Sequence, residues 1–421
     1  MDYSNNENYI EEEGTVIHRR EDTFFNPAQK LNRDLTLTVV EEYFKGKENV
    51  RILDAMAASG LRGIRYLKKS EKFNLFLNDF STQAIQSIRD NLNLNDITEY
   101  TKVEKIERNT KNRVTITQMD CNVLMNQTKH YFDVIDIDPF GSCNTFIESA
   151  FKAVKGNGLI CFTCTDKAAL CSRTEKCFVK YGSTIFRNFS KNETPIRVLL
   201  SCISKTAAKF DMSIDPIISF SVDYYLRVIC KIKATKVKEC ISSNGYALIC
   251  ECGEYRMVGL TERIKSTVCE NCGVNMKQYG TFWTKQLYDK EFVERLLVNV
   301  VEANNQRITG LLRYFLQEIE YPFYYELGKL YKWCKLPQIK RKHLMTALAN
   351  KGYRVSLTHC DLEGFKTDAP AAVIYETIRT FNKDEELLPN EAVESIFATD
   401  FHKKTISSGL KPGALPIKKD Q

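Results

Sequence analysis

Val134-Ile135-Asp136-Ile137-Asp138-Pro139-Phe140-Gly141 is the stretch on which the reading of this chain turns. A run rich in branched apolar residues reads as a buried strand. It ends in an acid, a proline, an aromatic ring and a glycine. Ligands of open α/β sheets bind at the C-terminal ends of parallel strands. An acceptor, a rigid turn and an exposed ring at such an edge suit work on the exocyclic amine of a flat base. The ring can stack on the base while the carboxylate accepts an amine N–H. The alternative is a strand-ending turn with a surface Phe, and the flanking sequence decides between the two.

Upstream, Val50-Arg51-Ile52-Leu53-Asp54 is a short strand followed by Ala55-Met56-Ala57-Ala58-Ser59-Gly60 and then by a helical pattern. Small residues in such a loop let a ligand approach the backbone and the helix start. The loop is not G-x-G-x-x-G, so a dinucleotide, and with it a dehydrogenase, is poorly supported. A second strand, Asn74 to Asp79, ends in an acid 25 residues after Asp54, near where nucleotide folds place a ribose-binding carboxylate. A third, Arg113 to Met119, ends at Asp120-Cys121, and the fourth is the one ending at Asp138. Any one such Asp is a good helix N-cap, but four in a row describe a site.

This order is that of S-adenosylmethionine-dependent methyltransferases, and the chain resembles one family of them, the tRNA (guanine-26-N2)-dimethyltransferases. The segments that carry the resemblance are Phe24-Phe25-Asn26-Pro27 through Leu35, Leu53-Asp54-Ala55 with Ala58 through Arg65, Asp136 through Gly141, and Thr358-His359-Cys360 followed by Lys366 through Pro370. They run from about Thr15 to about Pro370. The resemblance implies methylation of N2 of guanosine 26 in tRNA, first once and then twice. It implies Asp138, Pro139 and Phe140 at the reacting amine, with Phe25 as a second stacking face. It carries over Arg33, Arg62, Asp79, Asp120 and Cys121 to the cofactor, S-adenosylmethionine. Asp79 then suits the ribose diol, Asp120 the adenine amine, and Arg33 and Arg62 the methionine carboxylate or the loop. Asp54 is expected near the methionyl end. Asp136 faces the same side as Asp138 and either orders it or is a satisfied buried acid. His359 is expected to be structural, since this chemistry needs no imidazole.

The fold expected is α/β: a Rossmann-like methyltransferase domain with a doubly wound mixed sheet, plus a smaller zinc-containing α+β C-terminal domain. The pattern gives a helix over 27–44, a polar surface insertion over 98–111, and a turn at Gly156-Asn157-Gly158 leading into a fifth strand, Leu159 to Thr165. A helix over 197–210 and an antiparallel pair, 214–221 with 224–232, close the catalytic domain (15–234). The rest divides into an acidic, disordered 1–14, a zinc-containing tRNA-binding domain (235–400) and a basic flexible tail (401–421). In the C-terminal part, Tyr331 to His343 has five basic residues, no acid and two aromatics. That character suits an RNA backbone and its unstacked bases, with Lys340, Arg341 and Lys342 as the RNA-binding candidates.

The chain has 421 residues, 43% of them apolar and 15 of them cysteines, and a net charge of +7. A mild positive balance permits a polyanionic partner without requiring one. No run reaches the ~18 apolar residues of a membrane span, and no secretory start is present, so a membrane is not expected. Most cysteines sit in apolar segments and read as small buried hydrophobes in a reducing, intracellular compartment, nucleus or cytoplasm being left open. Cys250-x-Cys252-Gly253 and Cys269-x-x-Cys272-Gly273 differ. They read as a closed four-cysteine structural zinc site, with Cys240 as a substitute ligand because C-x-C is unusually tight. No obligate protein partner is implied. Two other readings stand beside the main one: an N-methyltransferase on another RNA or on DNA, and a zinc-bearing RNA-binding protein with an inactive catalytic domain.

Overall fold

The computed structural model describes residues 8–398, apart from 109, 111, 235–237, 303, 336–337 and 382–387. The 401–421 segment, expected to be a basic tail, lies outside the described residues. The strands, in chain order, are β1 Tyr9–Glu12, β2 Thr15–His18, β3 Val50–Asp54, β4 Phe73–Asp79, β5 Thr101–Val103, β6 Val114–Gln118, β7 Phe132–Ile137, β8 Val154–Cys164, β9 Met212–Val222 and β10 Tyr225–Ala234. Six more follow: β11 Asn244–Ile249, β12 Tyr255–Gly259, β13 Lys277–Trp283, β14 Tyr325–Glu326, β15 Val355–Leu357 and β16 Gly364–Thr367.

Eight strands form one sheet in the order β5-β6-β4-β3-β7-β8-β10-β9. It is parallel from β5 through β8, and β10 pairs antiparallel with both β8 and β9. The central strands are buried along their length, which is why they read as continuous apolar runs. From β3 the chain winds outward to β4 and β6, then returns to β7 on the other side of β3. That reversal opens a crevice between the C-terminal ends of β3 and β7, where Asp54 and Asp138 lie.

Three local expectations change. Residues 9–12, expected to be disordered on composition, form β1 of a hairpin with β2. Glu13 (φ 49°) and Gly14 (φ 73°) make a two-residue turn with both φ positive, the form that matches strand twist. Glu12 is buried between Arg33 and Arg65, so part of the acidic character that suggested disorder is paired. The insertion over 98–111 contributes the edge strand β5. Gly156 to Gly158 are not a turn but an irregularity within β8 opposite β7.

Beyond β10, β12-β11-β13 and β14-β16-β15 form two small antiparallel sheets flanked by helices. The boundary near 234 marks a change of architecture, yet one packed core runs across it from Leu31 to Val393. At the joint, buried Lys366 lies 2.9 Å from Glu193 and 3.0 Å from Glu318, and Glu193 pairs with Arg197 at 2.7 Å. His359 belongs to this joint: its Nδ1 lies 2.9 Å from Glu318 and 2.7 Å from the Tyr288 hydroxyl. No helix among the described residues is long and apolar enough to cross a membrane.

Candidate active site

The loop after β3 is shaped by close packing. Gly60 (φ 79°) begins the helix Leu61–Lys69 in a left-handed conformation that L side chains rarely adopt. A Cβ at Gly63 would collide with Leu77 of β4, so glycine there lets helix and sheet approach. The loop is held from beneath by buried Asn78. Its amide donates to the carbonyls of Ala55 and Met119, and its oxygen accepts from Thr117, tying three strand ends together. Asp79 accepts the N–H of Ala58 (2.9 Å) and of Ser81 (3.0 Å). Asp120 caps the helix Cys121–Gln127 through the N–H groups of Asn122 and Val123. Burial lifts the Cys121 thiol to about 12, so it stays neutral and apolar.

Arg62 joins the acids of the crevice. Its Nη2 donates to Asp138 Oδ2 at 2.6 Å, and its Nη1 lies 3.2 Å from Asp136 Oδ2 as an ion pair without hydrogen-bond alignment. Asp136 is fully buried and also gripped by Arg227 from β10 at 2.6 and 3.1 Å. Burial alone would raise its carboxyl, but the two guanidiniums hold it below the usual range. Asp136 is therefore a satisfied buried acid that shares Arg62 with Asp138. Asp138 Oδ1 has no hydrogen-bond partner among the described residues. Asp54, 3% exposed, has an Oδ2 without any partner among them. Burial pushes its carboxyl up to about 7, against the pull of Arg62 and with the push of Asp136 and Asp138. A buried, unpartnered carboxylate oxygen beside a crevice is a seat for a cationic group.

Pro139 is buried and Phe140 is 77% exposed. The ring that meets Phe140 is Phe24, edge-on at 4.6 Å between centroids. Phe25, the residue expected there, lies instead under the Arg33 guanidinium at 5.4 Å. The two neighbouring rings therefore have different partners. Arg33, which the resemblance carries to the methionine carboxylate or the loop, has its own partners here. It pairs with buried Glu12 and donates to the Asn26 carbonyl, so it anchors the hairpin and the Phe24-Phe25 segment. Phe80, 77% exposed beside Asp79, went unnoticed in the sequence; an aromatic directly after a strand-end acid is the signal for it. Glu12, Phe24 and Arg227 carry no such local signal.

The four cysteine sulfurs of residues 250, 252, 269 and 272 lie within 4.8 Å of one another. Two of the pairs are separated by 3.4 and 3.6 Å. Four thiolates around a tetrahedral ion with bonds of about 2.3 Å stand about 3.8 Å apart, so the cluster fits a metal. Both following glycines, Gly253 (φ 95°) and Gly273 (φ 73°), are left-handed, as a chain turning around an ion requires. Cys240 is not in the cluster; its Sγ lies 3.7 Å from the Asn244 amide.

The RNA-binding candidates of residues 340–342 are only partly displayed. Arg341 donates to the Leu362 and Gly364 carbonyls, and Lys342 pairs with Glu394 at 2.7 Å. Lys340 is exposed. The aromatics of that stretch are internal: the Tyr331 hydroxyl donates to the Ile339 carbonyl, and Trp333 packs on Gly253 beside the cysteine cluster.

The family model described as N2,N2-dimethylguanosine tRNA methyltransferase matches residues 5–379. The tRNA (guanine(26)-N(2))-dimethyltransferase of Schizosaccharomyces pombe is 32% identical over 444 residues, covering 86% of this chain and 79% of its own. That of Methanobrevibacter smithii is 30% identical over 373 residues, covering 85% and 92%. A solved complex of Trm1 from Pyrococcus horikoshii with S-adenosyl-L-methionine matches with a TM-score of 0.77 and 28% identity, over 88% of this chain and 99% of that one.

Proposed function

The chain belongs to the N2,N2-dimethylguanosine tRNA methyltransferase family, and from that premise we propose that it methylates N2 of guanosine 26 in tRNA, using S-adenosylmethionine. The observation that carries the reading is the Asp138 carboxylate at the switch point: one oxygen is fixed by Arg62 and the other is available, with Phe140 exposed just beyond.

Guanine N2 is a poor nucleophile because its lone pair is delocalised into the ring. Asp138 Oδ1 accepts one of its N–H bonds, drawing the nitrogen toward tetrahedral geometry and freeing the lone pair. S-adenosylmethionine, when bound, supplies a methyl group on a sulfonium. The methylated nitrogen must then lose a proton, which Asp138 takes and passes to water. Arg62 keeps that carboxylate in one orientation, and Arg227 does the same for Asp136. Most of the acceleration comes from such positioning. Phe140 and Phe24 offer faces for the base, which leaves its stack at a cost of a few kcal/mol.

For the cofactor, Asp54 would hold the α-ammonium, the charge its unpartnered oxygen lacks. Asp79 would face the ribose. Phe80 and the Asp120-Cys121 corner would bracket the adenine. Cys250, Cys252, Cys269 and Cys272 would hold one structural zinc ion, since four thiolates leave no open position for a substrate. Lys340, the exposed one of the three basic candidates, would touch RNA.

Incubating unmodified tRNA with methyl-labelled S-adenosylmethionine and mapping the product nucleoside tests this reading. Label confined to N2-methyl and N2,N2-dimethylguanosine at position 26 is expected. Label at another base or in DNA would replace it.

A further inference from the structure

The segment between β8 and the helix Thr194–Ala208 contains none of the residues assigned above to the cofactor, yet it is fastened to the catalytic turn. The backbones of Thr165 and Gly141 bond, and the Thr165 hydroxyl accepts the Gly141 N–H. Farther along, the Tyr181 hydroxyl donates to Ser142 at 2.7 Å, and the Asn144 amide donates to the Lys180 carbonyl at 2.6 Å. These contacts lock the C-terminal end of the helix Thr174–Tyr181 against residues two to four places beyond Phe140. Chain lengths limit the Phe140 to Phe178 backbone separation to at most about 25 Å. The segment then reaches the other half of the molecule, where Thr184 bridges Gly280 of β13.

The outer surface of this helix is unusual. Phe178 is 58% exposed and Val179 is 82% exposed. Arg173, Lys176 and Arg187 around them are exposed too. From residue 165 to 191 there are six basic and two acidic side chains, a net +4. Three of these bases are engaged within the chain, Lys180 with Asp166, Lys191 with Asp361 and Lys167 with Ser221, which leaves Arg173, Lys176 and Arg187 displayed. Exposed aromatic and apolar surface flanked along the chain by cations, on a helix fastened to the catalytic turn, has the character of a single-strand RNA platform.

We propose that the helix Thr174–Tyr181 and its flanks form a wall of the RNA entrance. Phe178 stacks on an unpaired or unstacked nucleotide near the target guanosine, and Arg173, Lys176 and Arg187 hold the adjoining phosphates. This rests on the tRNA reading above and adds the surface that grips the substrate. It also adds RNA contacts that the 340–342 cluster cannot supply alone, since two of those three side chains are bonded within the chain.

Two variants of the full chain test it: Phe178→Ser, and Arg173→Ala with Lys176→Ala and Arg187→Ala. Both alter exposed side chains, so melting temperatures should match the wild type. With an unmodified tRNA transcript, each should raise KM about tenfold, within the usual range for base–aromatic stacking. Turnover at saturating tRNA and S-adenosylmethionine affinity should stay within about twofold of wild type by the same comparison. The triple variant should lose about two to three from the slope of log affinity against log salt. A 4-thiouridine-substituted tRNA should crosslink to the peptide spanning 173–187. Unchanged KM in both variants, with crosslinks elsewhere and wild-type methylation intact, overturns this surface and leaves the tRNA reading standing. Failure of the wild type to methylate tRNA at all overturns both.

Discussion

Asp54→Asn isolates the most unusual electrostatic feature of the crevice. The carboxyl lies at the end of β3, with one oxygen unpartnered among the described residues, and burial holds it at about 7 rather than 3.8. At about 1.4 kcal/mol per pH unit, that gap is a penalty of about 4 kcal/mol on the ionised form. An α-ammonium bound against it would remove much of the penalty by restoring a countercharge and a donor. Affinity for S-adenosylmethionine should then be full above pH 7 and fall as pH drops through the raised value. From pH 8 to pH 6 it should fall about tenfold, and binding at pH 6 should release close to one proton. Folding of the cofactor-free protein has the opposite sign. A carboxyl raised in the folded state stabilises it below pH 4, and this contribution is lost as pH rises toward 7. Asparagine keeps the size and removes the titration. Its affinity at pH 8 should be weaker by about 1.5–3 kcal/mol, the worth of a hydrogen bond to a charged group, and its pH dependence should vanish. Calorimetry in two buffers of different ionisation enthalpy measures both quantities. A variant that binds like the wild type and keeps the same pH profile would refute the assignment.

Asp138→Ala should abolish methyl transfer while S-adenosylmethionine affinity stays within a few-fold, because the proposed role of the residue is toward the amine and not the cofactor; near-normal turnover with labelled cofactor would remove it from the mechanism. Asp79→Ala should weaken cofactor binding by about 1.5–3 kcal/mol, and unchanged calorimetric affinity would place the ribose elsewhere. Elemental analysis should find one zinc per chain, retained in Cys240→Ser. Chelation should lower the melting temperature, because Tyr375 is bonded to the Cys252 carbonyl and Glu254 caps the helix Ala371–Thr380 at the Ala371 N–H. Changing Lys340, Arg341 and Lys342 together to Ala should flatten the salt dependence of tRNA binding by about one unit rather than three, as Arg341 and Lys342 already have internal partners; a change near three would mean those contacts give way to phosphate.

The sequence alone carried the strand-end acids, the small-residue loop and the paired C-x-C-G and C-x-x-C-G turns. Each is written in consecutive residues, and the physics that reads it is local: burial of apolar runs, the needs of a tight turn, and the reach of neighbouring thiols. Partners were a different matter. Arg62 meets Asp138 across 76 residues, and Arg227 meets Asp136 across 91. Those meetings follow from β7 lying between β3 and β8, with β10 beside β8, a strand order that no local pattern encodes. The same holds for Phe24 in place of Phe25 as the ring that meets Phe140. It holds for Glu12, whose charge suggested disorder until two distant arginines enclosed it. It holds also for the helix Thr174–Tyr181, an ordinary amphipathic segment until the fold fastens its end to Ser142 and Asn144. A side chain's chemistry is set by its type, but what it acts on is set by whichever neighbours the sheet order and crossovers bring within a few ångströms of it.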